Sequence, residues 1–348
     1  MIYTDEDKIT EDGRIHTDAH FKPDFCPDNL SSANYICHLL AVRTELLRRA
    51  GGLRSDFDGS QDHDLALRLS EMTQKIKHLP CIAYHWRTVG SSVSHQHLEK
   101  CTDASCRAIE EHSARMGFPC RAAAERGVIR LTYELQGKPR VSLITDGTWE
   151  SDWPDTQTLR VTAWDEEALR RALAEADGDH VLLLRKEALP QGTDFVRELL
   201  MYAQRPEVGM VTPVITDRRG SILHAGWHIT EEGMLRCRNR GLKYSSGGWH
   251  HLALQAHNVA AVSPVCLMAK RADLAEVPLT TAGIAEACLR MLEAGRVHVY
   301  TPWARAVCGD ASLLRDPAEP LPGRRGYQDP CYSVHCSERA DFTARKGK

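Results

Sequence analysis

The chain has 348 residues, 42% of them hydrophobic and 26% charged, a composition that is ordinary for a globular protein and predicts two domains. The formal net charge of −3 excludes a strongly basic nucleic-acid-binding protein, so we expect no nucleic acid partner. No run of about 18 apolar residues is present, which excludes a membrane-spanning helix, and the acidic first residues are unlike a signal peptide.

The twelve cysteines are scattered along the chain, and no two of them form a C-x-x-C pair. Their spacing gives no zinc motif. In a chain without an export signal, the simpler interpretation is a set of reduced thiols in a cytoplasmic protein. We therefore expect a cytoplasmic location.

The first seven residues carry the strongest chemical signal. A short apolar strand end, Met1-Ile2-Tyr3, runs into an acidic turn, Asp5-Glu6-Asp7. Carboxylates bind hard cations such as Mg²⁺ and Mn²⁺, and open α/β sheets present their ligand groups at the carboxyl ends of strands. The pattern predicts a site for a divalent cation and the phosphates that it holds.

A strand of this kind should lie well inside a sheet, yet no strand precedes it here. We therefore expect a truncated first domain in which the strand at residues 1–4 is unpaired. Strands from the second half of the chain, or from a second copy in a homo-oligomer, would then complete the sheet.

Apolar runs, capping residues and glycines predict the other elements of the first half. Thr44 can cap a short helix that ends at Gly51-Gly52, and these glycines either stop the helix or let backbone approach a ligand. Ser60 can cap the next helix. In chain order we predict a buried strand over 36–43, the helix from 44, a helix over 61–72, a strand over 81–86 and a helix-prone linker over 96–138.

Asp62 and Asp64 lie in the first turn of the helix over 61–72. Acids at this end of a helix interact favourably with its dipole, by about 0.3–1 kcal/mol each, so both can be structural. Two residues apart on a helix, their side chains point about 200° away from each other. At most one of them can face a substrate, and Asp62 is the better candidate for catalysis.

An aromatic and basic segment, Tyr84-His85-Trp86-Arg87, lies at the end of the strand over 81–86. His85 is either a hydrogen-bonded structural residue or a third ligand for the cation, if its strand lies beside the acidic turn. Trp86 can stack on a sugar ring and Arg87 can bind phosphate. A partly buried aromatic ring and a surface charge explain these two residues equally well.

The second half alternates strands and helices, which indicates an α/β fold with a mostly parallel sheet flanked by helices. We predict strands over 141–145, 159–163, 180–185 and 208–215, helices over 165–176 and near 194–204, and irregular chain after about 312. Two pairs of segments match in the same order, residues 39–46 with 267–274 and 64–69 with 286–291. This weak repeat favours a tandem duplication.

Four segments of the first half form a longer pattern: Tyr3-Thr4-Asp5-Glu6-Asp7-Lys8, Phe21-Lys22-Pro23-Asp24, Gly59-Ser60-Gln61-Asp62-His63-Asp64-Leu65 and Tyr84-His85-Trp86-Arg87. In this order they resemble the family 2 glycosyltransferases, nucleotide-sugar enzymes of the GT-A fold, and in particular the bacterial branch of surface-polysaccharide and O-antigen synthesis. The resemblance is close over residues 1–90. Residues 141–310 look like a second, divergent copy, with His224-Ala225-Gly226 and Tyr300-Thr301-Pro302 as its most similar pieces.

The resemblance implies a metal-dependent, inverting transfer of a sugar from a nucleotide-sugar donor to a glycan or lipid-linked acceptor. Asp5, Asp7 and His85 would hold the divalent cation, Mg²⁺ or Mn²⁺, on the diphosphate. Asp62 would match the family's general base, with Gln61 in place of the usual Glu before it. The residues that would bind substrate are Lys22, Gly51, Gly52, Asp64, Trp86 and Arg87. A lipid-linked acceptor implies peripheral association with the inner face of the cytoplasmic membrane.

In the second copy, Arg185-Lys186-Glu187 aligns with the acidic turn, Ile284 with Asp62 and Cys308 with His85. Such replacements predict a degenerate domain. The alternative function is therefore a non-catalytic fragment or pseudo-glycosyltransferase that binds glycan or supports a polysaccharide-synthesis complex. A nucleotidyltransferase is less well supported, because the sequence has no Gly-rich phosphate loop. The predicted segments are 1–95, the C-terminal part of a glycosyltransferase domain; the linker over 96–138; a degenerate domain over 139–312; and an irregular tail over 313–348.

Overall fold

A computed structural model describes residues 1–89 and 98–336. The chain forms two compact units: the first is Met1–Glu134 with the segment that begins at Pro330, and the second is Leu135–Asp329. A four-stranded sheet lies in the first unit and a nine-stranded sheet in the second. No helix among the described residues has both the length and the apolar character needed to cross a bilayer.

The first unit contains the four-stranded sheet, four helices among the described residues and a separate two-stranded hairpin. Its strands are β1 (Ile2–Ile9), β2 (His16–His20), β3 (Leu40–Ala41), β4 (Lys77–Arg87), β5 (Cys120–Glu125) and β6 (Val128–Tyr133). Its helices are α1 (Pro27–Ser32), α2 (Thr44–Arg49), α3 (Gln61–Met72) and α4 (Leu98–Arg115), with a 3₁₀ turn at Ser55–Phe57. The predicted helix over 61–72 has these bounds in the structure.

Strand β1 is an interior strand, which corrects two predictions. Ile2 pairs with Ala41 of β3 and also with Lys77 of β4, so the strand at residues 1–4 has partners on both sides within its own unit. Asp5-Glu6-Asp7 lies within β1 and not in a turn after it, because the strand continues to Ile9 while β4 and the hairpin partner β2 supply hydrogen bonds. A second copy of the chain is not needed to complete this sheet.

The predicted strand over 36–43 is wrong outside Leu40–Ala41. Cys37 has a φ of +38°, and its N–H donates to Asn34 Oδ1 at 3.2 Å, so the chain turns where an extended strand was expected. The turn matters for the site, because it brings Asn34 and Cys37 close to other polar side chains.

Residues 98–134 belong to the first unit and do not form the predicted linker. Helix α4 buries an apolar stripe that contains Ala104, Ala108 and Ile109, which an isolated linker helix would expose. Ser60 Oγ donates to the Cys101 carbonyl oxygen at 2.7 Å. This contact also corrects the predicted cap, since the Ser60 hydroxyl makes no capping hydrogen bond to α3.

The second unit is a larger α/β unit. Its strands are β7 (Val141–Thr145), β8 (Thr156–Arg160), β9 (His180–Leu184), β10 (Ala188–Gln191), β11 (Val208–Thr216), β12 (Ile222–His224), β13 (Trp227–Ile229), β14 (Leu235–Cys237), β15 (His257–Val259), β16 (Cys266–Lys270) and β17 (Val297–Cys308). Its helices are α5 (Glu166–Glu175), α6 (Phe195–Ala203), α7 (Arg271–Leu274) and α8 (Thr281–Glu293), with 3₁₀ turns at Trp249–Leu254 and Ala311–Leu314.

The large sheet has the strand order β10-β17-β11-β16-β9-β7-β8, with β12 beside β11 and β15 beside β17. Along this order β8, β7, β9, β11 and β17 run in one direction, and β16 and β10 run in the other. The prediction of an α/β fold with a mostly parallel sheet and flanking helices is therefore confirmed. The predicted strand over 159–163 begins earlier, at Thr156, where pairing with β7 starts.

The core of the second unit forms where the sheet meets its helices. Strands β7, β9 and β11 are buried along their whole length, as continuous apolar runs in sheets covered on both faces usually are. Helix α5 has Asp165 as its N-cap, whose carboxylate accepts from Ala168 N. From Arg315 to His335 the chain forms turns and irregular segments.

Candidate metal centre in the first unit

Asp7, His16 and His85 come together on one side of the small sheet. Strands β1 and β4 are parallel, and their pairing places Asp7 opposite His85. His85 Nδ1 lies 2.5 Å from Asp7 Oδ1, and His16 Nδ1 lies 2.8 Å from Asp7 Oδ2. The possible ligand atoms of the three residues all lie within 4.8 Å of one another.

The hairpin β1–β2 places His16 in this cluster. Its turn closes with a hydrogen bond from Thr10 N to Ile15 O at 3.0 Å, and Gly13 supplies a φ of +73° that few other residues adopt. Ile9 then pairs with His16. The sequence prediction missed His16, although Asp12-Gly13 between two strands is a hairpin signal that would have brought residue 16 back towards residue 7.

The surroundings of Asp7 favour its ionised form. Burial alone raises the pKa of a carboxyl, but hydrogen bonds with His85 and His16 hold the pKa of Asp7 below its usual range. The Asp7 side chain is 7% exposed, whereas His16 and His85 are 49% and 47% exposed. One carboxylate with two solvent-facing imidazoles is a mixed oxygen and nitrogen donor set, which fits a transition-metal ion such as Mn²⁺ better than Mg²⁺, whose usual ligands are all oxygens.

Asp5 lies outside this cluster, contrary to the predicted ligand set. Its side chain is fully buried, and Oδ1 accepts from Lys22 N at 2.9 Å and lies 2.8 Å from His78 Nε2. Strand residues two apart normally share a face, but the β1–β4 register shifts on both sides of Asp5. Asp5 therefore fixes the chain at Lys22 in this geometry.

Glu6 and Lys22 form a buried ion pair beside a second polar cluster. Lys22 Nζ lies 3.3 Å from Glu6 Oε1 and donates to the carbonyl oxygens of Ile36 and His38, at 2.7 and 2.6 Å. Burial opposes ionisation of Glu6, but hydrogen bonds from His20 and His38, together with the Lys22 charge, hold the pKa of Glu6 below its usual range. The Lys22 side chain has no exposed surface, so it is committed to the fold.

Glu6, Cys37 and His38 are a second group of ligand-type atoms within 4.8 Å of one another. Cys37 Sγ lies 3.1 Å from His38 Nδ1, which lies 3.2 Å from Glu6 Oε2. Since Lys22 already neutralises Glu6, a cation has less to gain here than at Asp7.

Asp62, the predicted base, is half-buried in the first turn of α3. Its Oδ2 accepts from Asn34 Nδ2 at 2.8 Å, and Asn34 Oδ1 accepts from Cys37 N. Asn34 thus anchors one oxygen of the carboxylate. The turn at Cys37, which the sequence prediction placed inside a strand, makes this contact.

Asp64 and the two glycines have structural partners. The Asp64 side chain is 1% exposed and forms ion pairs with Arg54 and Arg68. Gly51 and Gly52 have positive φ values at the end of α2, and the Gly52 carbonyl oxygen accepts from Arg68 at 2.8 Å. These residues therefore join α2 to α3, and no free polar group of Asp64 faces solvent.

Trp86 and Arg87 follow His85 on β4. Trp86 is half-buried, with its ring centroid 5.1 Å from that of His38. Arg87 is exposed, and its guanidinium donates to the Glu11 carbonyl oxygen at 2.6 Å. Arg87 therefore stabilises the hairpin turn through this hydrogen bond. Part of the Trp86 indole stays accessible to solvent beside the two polar clusters.

Comparisons with known proteins place these residues in a wider context. No family model matches the chain. It is 33% identical over 274 residues to the O-antigen biosynthesis protein RfbC of Myxococcus xanthus, which covers 65% of this chain and 21% of that protein. It is 30% identical over 362 positions to the uncharacterized protein y4gI of Sinorhizobium fredii (strain NBRC 101917 / NGR234), which covers 87% of this chain and 40% of that protein. The chain thus spans less than half the length of either relative.

Among solved structures, the chain has a TM-score of 0.35 and 11% identity with GalNAc-T7 bound to UDP, GalNAc and Mn²⁺, over 59% of this chain and 41% of that one. It has a TM-score of 0.32 and 14% identity with the mannosyltransferase PcManGT from Pyrobaculum calidifontis in complex with GDP-Man and Mn²⁺, over 66% and 68% of the two chains. Both TM-scores are low.

Proposed function

We propose that the first unit carries the transfer site of a family 2 glycosyltransferase, which moves a sugar from a nucleotide-sugar donor to a glycan or lipid-linked acceptor. The observation that carries the proposal is the cluster of Asp7, His16 and His85 around one ionised carboxylate. The 33% identity to a protein named for O-antigen biosynthesis supports the same class of reaction.

Asp7, His85 and His16 are the residues that would hold the cation in this proposal. A bound divalent cation neutralises charge on the diphosphate as it leaves the sugar. The chain's own contribution is to keep Asp7 ionised through its two imidazole partners and to leave both rings open to solvent. Asp5 supports the site from behind through Lys22 and His78.

Asp62 would act as the general base. Its anchored carboxylate takes the proton from the acceptor hydroxyl, whose oxygen forms the new bond to the anomeric carbon while the bond to the diphosphate breaks. Attack from the face opposite the diphosphate inverts that carbon. Asn34 holds Asp62 Oδ2, which leaves Oδ1 for the proton. The accessible part of Trp86 offers a surface on which a sugar ring can stack.

We also propose that the second unit is a divergent copy of the same ancestral domain. The elements β1, α1, β3, α2, α3 and β4 of the first unit have counterparts in the same order in the second unit, β9, α6, β16, α7, α8 and β17, although the second unit has five further strands, β11–β15, between α6 and β16. At the positions aligned with Asp7, Asp62 and His85 the second unit has Glu187, Ile284 and Cys308, and two cations precede Glu187. Because Ile284 and Cys308 cannot replace the proposed base and the proposed metal ligand, these replacements support a proposal in which only the first unit carries out the transfer.

The test is a transfer assay on the full chain with UDP-, GDP- and dTDP-sugars, Mn²⁺ and glycan acceptors, in which released nucleoside diphosphate is measured. We expect Asp62→Asn to lower kcat by at least about 10²-fold, the usual contribution of a general base, with donor affinity retained. The exposed neighbour Asp58 gives a matched control, and Asp58→Asn should keep full activity. Donor binding without any transfer by the wild type would instead favour a non-catalytic glycan-binding protein.

A further inference from the structure

A cavity in the second unit lies where two parallel strands end. It opens at the carboxyl ends of β7 and β9, has a volume of about 280 Å³, and is lined chiefly by Thr145, Asp146, Gly147, Trp149, Arg185 and Lys186. The carboxyl edge of adjacent parallel strands is the general position of ligand sites in open α/β sheets. This volume is just below the range of typical ligand pockets, about 300–1,000 Å³, so the cavity suits only a small ligand.

The walls of this cavity are fixed by short contacts between its two loops. Asp146 Oδ1 accepts from Lys186 N at 2.7 Å, and Asp146 Oδ2 lies 3.4 Å from Arg185 Nε. A Cβ atom on Gly147 would lie only 3.0 Å from Lys186 Cα, so glycine permits the close approach of the loops. The site is therefore held in place before any ligand arrives.

The lining carries two cations, Arg185 and Lys186, and they differ in their partners. Arg185 is paired with Asp146 and also lies 3.3 Å from Glu187 Oε2. Lys186 is exposed, and among the described residues its ammonium group has no acidic partner. Trp149 is half-buried at the same cavity, with its ring 6.0 Å from that of Phe195. A lysine ammonium group beside an indole ring suits a ligand that has both an anionic group and an organic part.

Among the described residues, no group of three metal-ligand side chains lies at this cavity. Both groups of three metal-ligand side chains found in the described part of the chain lie in the first unit. A phosphate in this cavity would thus accept charge-assisted hydrogen bonds from the Lys186 ammonium group directly.

We propose that the cavity binds a small phosphate ester without a divalent cation, with the phosphate on Lys186 and the organic part against Trp149. A nucleoside phosphate and a sugar phosphate share this chemistry. The second unit then binds an anionic ligand at a site of its own, separate from the proposed metal-dependent site of the first unit. The inference concerns the second unit alone, and it stands whether or not the first unit transfers sugars.

The experiment is calorimetry on the full chain in EDTA at low ionic strength, with UDP, glucose 1-phosphate and inorganic phosphate as separate probes. We expect UDP or glucose 1-phosphate to bind more tightly than inorganic phosphate, and Lys186→Glu to weaken that binding by at least about tenfold. Lys186→Arg should restore it. The matched control is Lys138→Glu, because Lys138 is exposed in the same unit just before the opposite end of β7.

Three results would overturn the proposal: no binding of any probe in EDTA, equal weakening by Lys186→Glu and Lys138→Glu, or binding that Asp7→Asn abolishes. Binding that survives EDTA and Asp7→Asn but is lost in Lys186→Glu supports it. Failure of the transfer reaction in Mn²⁺ leaves these EDTA measurements unchanged, so the two proposals fail separately.

Discussion

Asp64 is a buried carboxylate between two guanidinium groups. Arg68 Nε and a terminal nitrogen of the same guanidinium lie 3.0 and 2.6 Å from Asp64 Oδ2, and Arg54 approaches from the other side. Removing one partner of such a buried group leaves uncompensated charge. We expect Asp64→Asn to lower the free energy of unfolding by about 3 kcal/mol, measured by urea denaturation. Asp58→Asn, at an exposed acid nearby, should change it little; equal effects would contradict this role.

The Asp64 carboxylate also makes the free energy of unfolding depend on pH. Burial opposes ionisation of Asp64, but hydrogen bonds and charge from Arg54 and Arg68 hold its pKa below the usual range. Because the pKa is lower in the folded state, this stabilisation is fully present above the ordinary value of about 3.9 and is lost as the pH falls through the folded pKa. The stability difference between wild type and Asp64→Asn should therefore shrink between pH 5 and pH 2. A constant difference would refute the assignment.

At the scale of elements, the hairpin β1–β2 decides how many possible ligands the candidate metal centre has. His16 reaches Asp7 only because the turn at Thr10–Gly13 folds β2 back on β1. We expect His16→Ala to weaken Mn²⁺ binding by about tenfold, as loss of one of three ligands should, measured by calorimetry with the metal alone. His251→Ala, which removes an exposed imidazole from the second unit, is the control. Unchanged Mn²⁺ affinity in His16→Ala would remove His16 from the centre.

The close backbone contact between strand β7 and the loop before β9 can also be tested. A Cβ atom on Gly178 would lie 2.6 Å from Ser142 N and 2.8 Å from Val141 C, both backbone atoms that cannot move aside. We expect Gly178→Ala to cost about 1–3 kcal/mol of stability, measured by denaturant unfolding. At Gly309 the nearest atom is 3.8 Å away, so Gly309→Ala is the matched control. Similar stabilities of the two variants would contradict the contact.

Elements with a strong local pattern were predictable from the sequence. The helix over 61–72 and the strand over 141–145 have their predicted bounds, because apolar spacing and flanking residues define them. The prediction of a strand over 36–43 was wrong because the Asn34 side chain holds the backbone at Cys37 in a turn. Hydrophobic periodicity does not reveal this contact. Asp5 and Asp7 look equivalent in sequence, and only a register shift between two strands separates them.

At the scale of the whole molecule, the chain consists of two units with their own sheets, and the chemistry is divided between them. The acidic and imidazole cluster lies in the first unit, and the cavity lined by Arg185 and Lys186 lies in the second. From the residues that align with Asp7, Asp62 and His85, the sequence predicts that the second unit is degenerate, and this stays a prediction. It could not predict that β1 is paired on both sides, since strand order is a property of tertiary contacts.

The most direct test of the central claim is calorimetric titration of nucleotide-sugar donors into the full chain, with Mn²⁺ and with EDTA, for wild type and Asp7→Asn. We predict donor binding that requires Mn²⁺ in the wild type and is weakened at least about tenfold in Asp7→Asn, because the ionised carboxylate is the centre of the ligand set. Equal Mn²⁺-dependent affinity in the two proteins, or no Mn²⁺-dependent binding of any donor, would contradict the account.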